Sequence, residues 1–90
     1  MDNNIAFRKL VGENIRYFRR KLGLSQKDLA FMADLTNDFI SRVERGVDNI
    51  SIDSIFRIGE VLKIDPYLLF VSELRRSKEV VEMENINKSK

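Results

Sequence analysis

Apolar positions recur at helical spacing along most of the chain. Phe7, Leu10 or Val11, Ile15, Phe18 and Leu22 form the first series and predict a helix over residues 5–22. Arg20 and Lys21 suit the negative end of its dipole, and Gly23 suits its C-cap. Ser25 then reads as an N-cap with Asp28 three residues on, an approximate capping box, and Leu24 and Leu29 are spaced as a hydrophobic staple. A second helix follows over residues 26–33, with Leu29, Ala30 and Ala33 on its apolar face.

The same grammar repeats twice. Thr36 caps a third helix over residues 37–45, with Leu35 and Ile40 as staple and Gly46 as stop. Ser51 caps a fourth over residues 52–63, with Ile50 and Ile55 as staple and Ile55, Ile58, Gly59 and Leu62 inward. Asp65 and Pro66 open a short fifth helix holding Tyr67, Leu68, Leu69 and Phe70. The expected fold is therefore all-α, a compact domain of five helices over residues 1–74. Residues 75–90 form an extension that fits either a partner-dependent element that supports a dimer or a frayed end.

Composition narrows the chemistry. The 90 residues include no cysteine and no histidine. That removes disulfides, thiolate metal sites, the commonest general base and the commonest metal ligand. No nucleophile–base pair, metal cluster or phosphate loop is recognisable, which argues against an enzyme and implies no cofactor. No apolar run approaches the roughly 20 residues that span a bilayer, and MDNNIAFRK has no signal-peptide core, so a soluble cytoplasmic protein is expected. The net charge is only +2, yet Arg8, Lys9, Arg16, Arg19, Arg20 and Lys21 crowd the first helix. Such a segment suggests a polyanion partner, although a solvated helix face reads the same way.

The second and third helices are too short to stand alone and are joined by a turn of about three residues. This is the helix-turn-helix arrangement, in which packing on the flanking helices lets one helix project. In DNA-binding versions that helix enters the major groove. Here GENIRYFRRKLGLSQKDLAFMADLTNDFISRVERG, followed by SIDSIFRIGEVLKIDPYLLF, resembles the lambda-repressor-like, Xre-type family of regulators. The most specific pieces are LGLSQKDLA and ISRVERG, in order and at the family spacing. The compact size is similar to that of restriction–modification controller proteins and small phage or plasmid regulators.

The resemblance implies roles residue by residue. Asn37, Asp38 and Arg42 fall where relatives place base-reading side chains, with Asn37 suited to adenine, Asp38 to cytosine and Arg42 to guanine. Thr36, Gln26, Lys27, Ser41, Arg45 and Asn49 are expected on the DNA backbone. Arg19 and Glu44 match a pair that orients the recognition helix, with Arg19 also partly facing phosphate. Asp38 could instead serve only the helix dipole, Gln26 and Asp28 could merely cap the second helix, and Phe39 could face a thymine methyl or pack at the helix edge. Ile52, Tyr67, Leu68, Val71 and Leu74 are the expected homodimer surface, the alternative being that some of them close the monomer's own core.

Two departures stand out. Many relatives carry glycine in the turn where this chain has Asp34, which is expected to be left-handed. The loop after ISRVERG is VDNI rather than basic, so Asp48 is expected near phosphate, where it would weaken binding. The expected function is a sequence-specific double-stranded DNA-binding transcriptional regulator, reading a pseudo-palindromic operator as a dimer. The pattern leaves repression or activation through RNA polymerase open. An antitoxin that also holds a toxin, or a protein-interaction module that no longer binds DNA, are the alternatives.

Overall fold

The computed structural model describes residues 3–72. Four α-helices are followed by one 3-10 helix: α1 (Asn3–Lys21), α2 (Gln26–Met32), α3 (Asn37–Glu44), α4 (Ile52–Leu62) and the 3-10 helix Pro66–Phe70. The expected fifth α-helix is thus a tighter turn. Asp65 accepts from the Tyr67 N–H at 3.2 Å, and the Leu68 N–H closes an i→i+3 bond to the Asp65 carbonyl at 3.0 Å. Val71 is already extended, at φ −100° and ψ 151°, so no α-type ladder has room to build.

The caps follow the side chains. The Ser25–Asp28 capping box is complete, with the Asp28 N–H on Ser25 Oγ at 2.9 Å and the Ser25 N–H on Asp28 Oδ2 at 3.0 Å. Those bonds from Ser25 lower the Asp28 carboxyl below its ordinary range. Thr36 and Ser51 accept from the backbone N–H groups of Phe39 and Ser54 at 3.1 Å each. α4 stops at Leu62, one residue before the expected end, because Lys63 turns left-handed at φ 61°. Asp34 is also left-handed, at φ 58°.

Ile15, Leu29, Ile40, Ile58, Leu68 and Leu69 are completely buried, and Val11, Phe18, Ala30, Ala33, Val43, Ile55 and Leu62 complete the core around them. Leu35 packs on this core only partly buried. Phe7 and Leu22 stay 48% and 44% exposed. At 19 residues α1 runs about 28 Å, far longer than the eight-residue α3 it packs against, so its ends overhang. Phe7 finds a partial partner in Phe70, with stacked rings 5.7 Å apart.

Two residues of α1 hold this packing at close range. Gly12 crosses the end of α3 so tightly that a Cβ there would stand 2.3 Å from the Val43 carbonyl oxygen and 2.7 Å from that of Glu44. Asn14, fully buried, donates through Nδ2 to the carbonyls of Leu69 at 2.8 Å and Val71 at 3.0 Å, tying the 3-10 helix to α1.

Candidate nucleic-acid interface

The site begins underneath α3, with a buried carboxylate. The Glu44 side chain is fully buried and receives Arg19 in fork geometry, Nε to Oε2 at 2.6 Å and Nη2 to Oε1 at 2.9 Å. Gln26 Nε2 reaches the same Oε1 at 3.0 Å, and Arg16 Nε lies at 3.5 Å. Arg19 Nη1 also donates to the Leu24 carbonyl at 2.9 Å. Burial alone would raise the Glu44 carboxyl. The bonds from Arg19 and Gln26 and the Arg19 charge outweigh it, and the group is held below the usual carboxylate range. One carboxylate thus ties the C-terminal end of α3 to α1 and to the first residue of α2.

Above that anchor α3 has two unlike faces. Ile40, Val43 and Glu44 are buried, whereas Asn37, Asp38 and Arg45 are exposed and Ser41 and Arg42 half-buried. Lys27 and Thr36 are exposed beside this face, and Phe39 is partly buried against the core rather than free at the surface. The Arg45 guanidinium folds back, Nε donating to the Ser41 carbonyl at 3.3 Å, and Asn49 Oδ1 accepts from Arg8 Nη1 at 3.3 Å.

Two expected contacts are committed elsewhere in the folded chain. Gln26, expected on phosphate, gives one of its two amide N–H groups to Glu44. Arg42 is held by two carboxylates, Nε on Asp48 Oδ2 at 2.7 Å and Nη1 on Asp38 Oδ2. Asp48 is therefore not a bare negative charge on the loop but the partner of Arg42. The Asp38–Arg42 half was legible in the i,i+4 spacing. The Asp48 half was not, since it depends on how the loop after Gly46 folds back. Gly12 and Asn14 also carried no sequence signal beyond lying on α1.

The expected dimer surface needs one correction. Leu68 is fully buried in its own chain's core, as is its neighbour Leu69, so it is not part of an outer face. The tight 3-10 turn sends these consecutive leucines inward. Ile52 and Tyr67 are 83% and 46% exposed, and Val71 is half-buried against the core. Leu74 and the extension over residues 75–90 lie outside the described residues.

Relatives share this architecture. A helix-turn-helix family model matches residues 15–69. The chain is 43% identical over 67 residues to the control protein C.BamHI of Bacillus amyloliquefaciens, covering 73% of this chain and 80% of that one. The crystal structure of the restriction–modification controller protein C.AhdI from Aeromonas hydrophila superposes with a TM-score of 0.73 at 35% identity, over 76% of this chain and 99% of that one. The hypothetical transcription factor NHTF from Neisseria superposes at 0.76 and 32% identity, over 80% and 83%. The match spans α2, the turn and α3 together with the helices that carry them, and the chain belongs to the Xre-type helix-turn-helix family, with restriction–modification controller proteins among its relatives.

Proposed function

We propose that the protein is a transcriptional regulator that binds double-stranded DNA sequence-specifically as a homodimer, with α3 in the major groove. The observation that carries this reading is the asymmetry of α3. Its inner face is fastened by Ile40, Val43 and the Glu44 cluster, while its outer face presents Asn37, Asp38, Ser41, Arg42 and Arg45. A helix of eight residues depends on tertiary packing to stand, and an anchor that supplies part of that packing also fixes where the polar face points. Relatives that are named controller proteins and a transcription factor support the same reading.

In this reading Asn37, Asp38 and Arg42 meet base edges. Lys27, Thr36, Ser41, Arg45 and Asn49 meet the sugar–phosphate backbone, and Gln26 does so through the part of its amide not given to Glu44. Arg19 and Glu44 hold α3 in place. A second copy joins through a surface that includes Ile52, Tyr67, Val71 and Leu74, setting two α3 helices about 34 Å apart on a pseudo-palindromic site. Asp38 and Asp48 beside the reading face make each half-site contact modest, so pairing the two halves supplies much of the affinity.

The test is a titration of DNA from immediately upstream of the protein's own gene against random DNA at two salt concentrations. Competitor-resistant, cooperative binding is expected. Weak binding equal for both and lost with added salt would reduce the protein to nonspecific phosphate attraction and reject the proposal. Arg42→Ala is expected to lower discrimination more than nonspecific affinity, and Gln26→Ala to weaken all sequences alike. Sedimentation of the free protein checks the dimer.

A further inference from the structure

The Arg42 cluster holds a feature that sequence-specific binding alone does not require. Arg42 projects from the second turn of α3, and its side chain is 36% exposed. Asp48, from the loop before α4, is similarly half-covered at 37%, and Asp38, one turn earlier on α3, is 78% exposed. The two carboxylates take different atoms of the guanidinium. Asp48 holds Nε, and Asp38 holds Nη1.

That division has a geometric consequence. End-on reading of guanine uses two parallel N–H groups, one from each terminal nitrogen, aimed at O6 and N7. Nε takes no part in that fork, so the Asp48 bond and the base contact are compatible. Nη1 supplies one of its two N–H groups to the fork, so a carboxylate seated on that nitrogen sets its negative charge beside the O6 and N7 acceptors, and the Asp38 bond and the base contact compete. Asp38 is well solvated and is the cheaper of the two to release. The cluster also carries one positive and two negative charges. It therefore offers little to a passing phosphate, while a base edge reached in register still gains the fork.

We propose, resting on the DNA-reading function above, that Asp48 is a specificity-determining positioning residue. Through Nε it fixes the direction of the Arg42 fork before DNA arrives, and Asp38 is the built-in competitor that a correct base displaces. The two acidic residues that argue against DNA binding when read singly thus become the parts that make Arg42 selective. An arginine freed of Asp48 regains its rotamers and reaches phosphates in several poses.

The experiment uses the full chain. A randomised duplex pool is selected with the wild type and with Arg42→Ala; the base pair whose preference disappears in the variant is the one Arg42 reads. The ratio of Kd values for duplexes differing only at that pair is then measured for the wild type, Asp48→Asn, Arg42→Ala and the double variant. Asp48→Asn is expected to lower the ratio about 2- to 10-fold with Arg42 present and to leave it unchanged in the Arg42→Ala background. Asp38→Asn is expected to tighten the selected duplex without lowering the ratio. Ratios at the other base pairs serve as the internal control, since partial unfolding cancels from every ratio. An unchanged ratio in Asp48→Asn, or an equal fall at the other base pairs, overturns the positioning role. No enriched sequence with the wild type overturns the DNA reading itself, and the positioning role with it.

Discussion

Replacing Glu44 with glutamine tests the anchor beneath α3 directly. The substitution keeps the shape and one acceptor but removes the charge that faces Arg19 at 2.6 and 2.9 Å. The Arg19 and Glu44 side chains are 9% and 0% exposed, so solvent screens little of the loss. A hydrogen bond to a charged partner contributes about 1.5–3 kcal/mol, and one of the fork's two bonds survives on the amide oxygen. A destabilisation of about 2 kcal/mol follows, a sizeable part of the roughly 5–15 kcal/mol that holds a small domain. In a domain of this size it lowers Tm by about 8–16 °C. Thermal melts at neutral pH, with urea titrations to verify an unchanged m-value, read it out. The double variant Arg19→Met/Glu44→Leu is expected to melt above Glu44→Gln, because a buried pair is replaced by apolar groups more cheaply than it is broken. A Glu44→Gln protein melting within about 2 °C of wild type, or a double variant at the sum of the single losses, would refute the anchor.

The same cluster sets a pH dependence. The folded state holds the Glu44 carboxyl below its ordinary value of 4.5, so it binds that proton more weakly than the unfolded chain does. Its contribution is complete above that value and is lost as pH falls through the lower folded one, so acid favours unfolding. In melts at falling pH the gap between wild type and Glu44→Gln should narrow once the pH drops below 4.5; a gap that stays constant into acid would count against this assignment. Gly12→Ala gains helix propensity on α1 but drives a methyl into the Val43 and Glu44 carbonyls, and is expected to cost about 1–3 kcal/mol net; a rise in Tm would contradict the close crossing. Asp34→Gly relieves the left-handed turn at the loss of a long, 3.8 Å contact between its exposed carboxylate and Arg57, and is expected to raise Tm slightly. Asn14→Ala leaves the Leu69 and Val71 carbonyls without their donor and is expected to destabilise by about 1–3 kcal/mol, seen as a lower urea midpoint.

The helices, their caps and the helix-turn-helix were legible in the order of the residues, because each depends on neighbours within about four positions. Ser25 with Asp28, Thr36 with the Phe39 N–H, and the apolar runs of α2, α3 and α4 all work at that range. The left-handed turn at Asp34 was expected instead from the resemblance, since many relatives carry glycine there. What only the tertiary structure decided lies at long separation. Leu68 and Leu69 both turn inward in a 3-10 turn whose carbonyls are held by Asn14, more than fifty positions away. Gly12 is required by backbone on another helix. Arg42 meets Asp48 because the loop after Gly46 doubles back, and Gln26 and Arg19 meet on one Glu44 oxygen because α1 and α2 both pack against α3. Local propensity has no access to such pairings. They follow from which faces the buried core forces together, and here they decide which polar groups remain available to a partner.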